Sequence, residues 1–187
     1  GARLYPDEAL IVNGALSIKF FSQLFPGFHD YNGFPGYLLK LFSLGIESPE
    51  HVTLIGRYIS ALLSSLSIPL IDILGKRVWN KEIGHVAAIL FACTPLLIQL
   101  AHFYTTESIL IFLLLIMLTV APSPVFMAIP MGLLLATKNT AYLFLPIPMG
   151  IMVTQKHYRG IPIFLLVSAM CFFLASPYSF LDVSGYI

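Results

Sequence analysis

Residues 52–74 read VTLIGRYISALLSSLSIPLIDIL. The run carries two charges, Arg57 toward one end and Asp72 toward the other. A helix of this length, at ~1.5 Å per residue, is long enough to cross the ~30 Å hydrocarbon core of a bilayer. Gly75-Lys76-Arg77-Val78-Trp79-Asn80-Lys81-Glu82 follows, a short basic loop with a tryptophan suited to the membrane interface. Positive loops stay on the cytoplasmic side, so this one is expected there.

The composition agrees with that reading. Of 187 residues, 58% are hydrophobic and 10% charged, and the mean hydropathy is +0.88. Soluble domains are nearer 45–50% apolar and about 25% charged, so an ordinary soluble domain is excluded. The apolar runs are long and unbroken rather than alternating with period two, which excludes a transmembrane barrel. The fold class expected is therefore all-α: a polytopic integral membrane protein. About six transmembrane helices are expected, with two interfacial helices in an extracytoplasmic loop. A net charge of +1 argues against nucleic acid as a partner. Cys93 and Cys171 lie in apolar runs and read as small buried hydrophobes, without disulfide or zinc spacing.

Toward the C-terminus a second span is expected over 84–101, kinked at Pro95, and a third over 108–121. His102-Phe103-Tyr104-Thr105-Thr106-Glu107-Ser108 forms the extracytoplasmic turn between them, where Thr106 and Glu107 suit a helix start. Residues 122–155 read either as one long helix or as two short ones meeting at Lys138-Asn139-Thr140. Gln155-Lys156-His157-Tyr158-Arg159 is basic, so it belongs on the same side as 75–82. An even number of crossings must separate the two loops, which favours two short helices of about 15 residues, or roughly 23 Å. The last span is expected over 161–175.

Toward the N-terminus, residues 1–50 read as an extracytoplasmic loop, and 51–187 as the transmembrane domain. Within the loop, 9–25 and 34–45 suit amphipathic interfacial helices. The opening Gly1-Ala2-Arg3 has no charged region ahead of an apolar stretch, so no signal peptide is expected. The chain reads as part of a longer one with a helix upstream. Tyr5-Pro6-Asp7-Glu8 places two carboxylates just after a proline. One reading is an ordinary helix start, where carboxylates meet free backbone N–H groups and the positive end of the dipole. The other is a catalytic carboxylate at a membrane surface. The expected topology puts Asp7, Glu8, His29, Asp30, Arg57, His102, Glu107, Lys138 and Asp182 at the extracytoplasmic ends.

Five features in order resemble the N-terminal half of the GT-C membrane glycosyltransferases, in the branch of protein O-mannosyltransferases and lipid A aminoarabinose transferases. They are Tyr5-Pro6-Asp7-Glu8; Gly56-Arg57-Tyr58-Ile59-Ser60-Ala61 with Gly75-Lys76-Arg77; Thr94-Pro95 with Ala101-His102 and Thr106-Glu107-Ser108; Gly132-Leu133-Leu134-Leu135-Ala136-Thr137-Lys138; and Ser176-Pro177-Tyr178 with Leu181-Asp182. The resemblance implies an enzyme that moves a sugar from a polyprenyl (dolichyl or undecaprenyl) phosphate to an acceptor hydroxyl with inversion. It places the active site on the extracytoplasmic or lumenal face of a plasma membrane or the endoplasmic reticulum. Asp7 matches the family's catalytic aspartate and Glu8 its neighbour, and Arg57 and Lys138 match recurrent basic positions. Phe34-Pro35-Gly36-Tyr37 stands where members carry a Tyr-Pro-Pro-Leu-like element.

That chemistry needs a base for the acceptor proton, positive charge for the leaving phosphate and a greasy groove for the polyprenyl chain. Asp7 is the candidate base, and a second carboxylate beside it with partial burial would strengthen it. Arg57 is the first phosphate candidate, because a guanidinium binds phosphate bidentately. Lys138 and His102 follow. For Arg57 and Lys138 the competing reading is a side chain snorkelling from a helix end. Tyr31, Tyr37 and Glu107 are candidate sugar or acceptor contacts, although tyrosines here, Tyr104 included, also suit an interfacial belt. No metal site is assigned. A divalent cation held by His102 and Glu107, with His29 and Asp30, competes with a capping role for Glu107. Asp72 is expected to pair with Lys76, one turn on. The partners implied are the lipid-linked donor, a lipid, glycan or protein acceptor, and membrane lipids. The alternative is a transporter or flippase, which needs polar groups near the midplane with access from both faces. Here they cluster at one face.

Overall fold

The computed structural model describes residues 5–19 and 31–178. His29, Asp30 and Asp182 lie outside that range. The described residues build an all-α protein. In chain order the helices are α1 Pro6–Ser17, α2 Phe34–Phe42, α3 Pro49–Val78, α4 Lys81–Ala92, α5 Pro95–Ala101, α6 Thr106–Thr119, α7 Pro124–Thr137, α8 Pro146–Thr154 and α9 Gly160–Ala175. A 3-10 segment, Asn139–Phe144, links α7 to α8.

Proline sets most of the starts. Pro6, Pro35, Pro49, Pro95, Pro124 and Pro146 all sit in the first turn of a helix, where a missing N–H costs nothing. α4, α6 and α9 start without one, and at α4 a side chain caps instead: the Asn80 Oδ1 accepts from the Ile83 N–H at 2.9 Å.

α3 is central, packing against both α4 and α6. α7 then packs against α6 and α9, so the body is a row ordered α4, α3, α6, α7, α9. α1 packs on α2 and α3, and α2 reaches across to α7. Between α3 and α4 the backbones nearly touch. A Cβ on Gly84 would fall 2.7 Å from the Asp72 carbonyl oxygen, and one on Gly75 only 2.6 Å from the Gly84 Cα. The core is apolar and methionine-rich, with Leu39, Ile109, Met117, Met127, Met131 and Phe164 essentially inaccessible.

Several sequence expectations are adjusted. The first helix starts at Pro6, not residue 9, and ends at Ser17, where Ile18 turns extended. It is less a surface stripe than a packed element, with Ile11, Val12 and Ala15 all buried. α3 is longer than residues 52–74 at both ends, reaching 30 residues. The second span is broken at Cys93–Thr94, and its halves, α4 and α5, meet at 60°. Residues 122–155 divide at Lys138, as two short helices require, with a 3-10 segment inserted. Among the described residues, α3 alone is a single helix long and apolar enough to cross a membrane, and α4 with α5 meets the same criterion as a bent pair. α6 and α7, at 14 residues each, span only about 21 Å.

The surface is unusual for a helical body. Leu54, Tyr58, Leu62, Leu66 and Ile73 of α3 are exposed, as are Val86, Ile89 and Leu90 of α4 and Leu166, Phe173 and Leu174 of α9.

Candidate active site

The acidic pair splits. Asp7 and Glu8 occupy the first turn of α1, where the free N–H groups favour carboxylates. Consecutive helical residues point about 100° apart, so one can face inward while its neighbour does not. Glu8 is fully buried. Its Oε1 accepts from Arg57 Nε at 2.8 Å and its Oε2 from Arg57 Nη2 at 2.7 Å, a bidentate fork. The Tyr104 backbone N–H also donates to Oε1, at 3.0 Å. Both carboxylate oxygens are therefore engaged. Asp7 is half-buried, and its carboxylate makes no hydrogen bond or ion pair among the described residues.

Arg57 lies in α3, one residue after Gly56. A Cβ at Gly56 would fall 2.7 Å from the Tyr104 ring, so glycine is what lets Tyr104 lie directly on the helix. The Tyr104 hydroxyl donates to the Pro35 carbonyl at 2.8 Å. Burial pushes this phenol well above its ordinary pKa, so it remains a protonated donor. Tyr104 thus ties α1, α2 and α3 together. It is a buried hub rather than the interfacial belt residue its sequence context suggests. The guanidinium of Arg57 also sits over the Phe103 ring, 5.4 Å from its centroid, and Phe103 stacks on Tyr5 at 5.5 Å. The side chain keeps 27% exposure, and Nη1 has no partner among the described residues.

A second charged pair lies on the same side of the body. Lys138, at the break between α7 and the 3-10 segment, meets Glu107 in the first turn of α6 at 3.2 Å. The Lys138 Nζ is also 5.4 Å from the centroid of the Tyr31 ring. Tyr31 too is buried rather than belt-like. Tyr104 precedes Glu107 by three residues, so one short stretch touches both charged clusters. The segment 31–35 is fastened across them. Besides the Tyr104 bond, the Asn32 Nδ2 donates to the Leu135 carbonyl at 2.6 Å and the Gly33 N–H to Ser176 Oγ at 2.8 Å.

Tyr37 is half-buried and lines an apolar groove of about 330 Å³ with Phe34, Leu38, Leu41 and Leu174. His102 is exposed, with Nδ1 at 2.6 Å from the Ile98 carbonyl. That contact leaves Nε2 for a ligand. Among the described residues no three of His, Cys, Asp and Glu converge as a metal site, and Glu107 is held by Lys138. Asp72 pairs with Lys76, and with His85 at 3.0 Å. Nothing in the local sequence marked Glu8, rather than Asp7, as the buried member. The signal available was Gly56-Arg57, a glycine beside the one cation in the first half of an apolar helix. Comparison with protein-family models, curated sequences and solved structures yields no match for this chain.

Proposed function

We propose that the chain is the N-terminal part of a membrane glycosyltransferase that takes a sugar from a polyprenyl phosphate, with Asp7 as general base. The observation that carries the proposal is the split acidic pair. Glu8 is consumed by Arg57 and by the Tyr104 N–H, and this fixes the first turn of α1 on α3. Asp7, the preceding residue in the same turn, is thereby held half-exposed and without a hydrogen-bond or ion-pair partner among the described residues. The acceptor hydroxyl oxygen attacks the anomeric carbon as Asp7 takes its proton. The bond from that carbon to the phosphate oxygen breaks, and the electron pair leaves with the polyprenyl phosphate. Arg57 Nη1, Lys138 and the free nitrogen of His102 are the groups that would meet the phosphate. Tyr31, Tyr37 and the Phe34–Leu174 groove suit the sugar and the isoprenoid.

A membrane setting is supported by the exposed apolar surface. In the most apolar window of α3 only 17% is buried, whereas the core helix of a soluble protein is mostly covered. An apolar face of this extent requires lipid or protein cover. The site would then lie at the extracytoplasmic or lumenal face, opposite the basic turns.

The test is product analysis. Full-length protein in its native membrane is given radiolabelled polyprenyl-phosphate sugars and a lipid, glycan or peptide acceptor. The expected result is a labelled glycoside of inverted anomeric configuration. Movement of the intact donor between leaflets, with no glycoside formed, would replace the enzyme by a flippase.

A further inference from the structure

At the opposite end of the body lies a cavity of about 450 Å³ that the proposed chemistry does not use. Its size falls within the roughly 300–1,000 Å³ typical of small-molecule sites. Four helices form it: Leu74 and Trp79 at the end of α3, Ala87 in the middle of α4, and Leu118 and Ile151 near the ends of α6 and α8. The walls are apolar. Among the described residues, Arg77 and Gln155 are the only charged or amide side chains lining it.

The rim is cationic. Arg77 is exposed, and its Nη1 donates to the Thr119 carbonyl at the end of α6, leaving Nε and Nη2 without partners among the described residues. Lys81, Lys156 and Arg159 are exposed on the turns that flank the cavity. Lys76 is taken by Asp72, whose other oxygen meets His85. Glu82 is the one acidic side chain left on these two turns. Trp79 is 68% exposed beside the opening, an arrangement suited to the headgroup level of a bilayer.

We infer that this cavity is a binding site for an anionic glycerophospholipid, with an acyl chain between α3, α6 and α8 and the phosphate on Arg77. An alkyl chain matches the dry walls, and a phosphodiester matches a fixed guanidinium with free N–H groups backed by further cations. A zwitterionic lipid would bring its own cation into this positive rim. The inference rests on the membrane setting proposed above but not on sugar transfer.

The test is lipid retention by full-length protein in detergent, read by native mass spectrometry with phosphatidylglycerol and phosphatidylcholine as probes. Wild type is expected to retain phosphatidylglycerol preferentially. Arg77→Gln can keep the bond to Thr119 while losing the charge, and should weaken phosphatidylglycerol binding about fivefold. Arg77→Lys should restore most of it. Lys81→Gln, on an exposed turn, gives a second reading should the Arg77 variants unfold. Lys40→Gln, on α2, should change nothing. Equal retention of both lipids would overturn the inference, as would an equal loss in Lys40→Gln. Displacement by an equimolar polyprenyl phosphate would assign the cavity to the donor instead. Sugar transfer is scored separately, so failure of one reading leaves the other standing.

Discussion

Glu8 and Tyr104 are the residues on which the site is built, and neither is readable as such from its neighbours. A buried carboxylate needs its charge matched and its lone pairs occupied. Arg57 and the Tyr104 N–H meet that need. Removing the acceptor leaves the guanidinium in partly dry surroundings. Glu8→Ala should therefore destabilise the fold by about 3 kcal/mol, the lower end for broken buried pairs because Arg57 keeps some solvent. A thermal melt of the purified protein reads this. An unchanged melt would mean that the pair only decorates the surface. Tyr104→Phe keeps the ring against Gly56 and removes one buried hydrogen bond, to the Pro35 carbonyl in the first turn of α2, at a cost of about 0.5–1.5 kcal/mol. The residue types at the site were legible: an acidic pair after a proline, a lone arginine, a lysine at a helix break. Which partner each takes was not, because Glu8, Arg57 and Tyr104 meet only through tertiary packing. Their sequence separations exceed any helical period.

Breaks were easier to read than lengths at the scale of helices. Proline and the Lys138-Asn139-Thr140 stretch mark their boundaries chemically, since a missing N–H or a polar run interrupts the ladder wherever it occurs. Lengths depend on neighbours. α3 extends to 30 residues because α4 packs along its last turns with almost no side chains between them. Gly84→Leu should push those helices apart and cost about 3 kcal/mol, the upper end for overpacking, because the obstacle is backbone. Gly150 has open space around it, so Gly150→Ala should leave the melting temperature unchanged or slightly raised.

For the whole molecule, the charge pattern of the loops carried most of the information. The two basic turns, near Trp79 and Gln155, border one cavity, so they lie at the same end of the body. The acidic pair, Arg57 and Lys138 gather at the other. That arrangement predicts sidedness in a membrane. In a background lacking Cys93 and Cys171, single cysteines at Lys81 and Lys156 should react with an impermeant maleimide from one side. A cysteine at Tyr5 should react from the other. Labelling of all three from one side would contradict a spanning arrangement.

In the proposed mechanism the neighbouring carboxylates divide the labour, Glu8 holding the fold and Asp7 moving the proton. The most direct test is sugar transfer by wild type and Asp7→Asn at matched donor occupancy and matched melting temperature. Asp7→Asn is expected to melt with wild type, bind the polyprenyl-phosphate sugar and lose at least 100-fold in transfer, on the order of a general-base contribution of ~10²–10⁴. Equal transfer by both proteins would contradict it and return Asp7 to the role of a helix-start carboxylate.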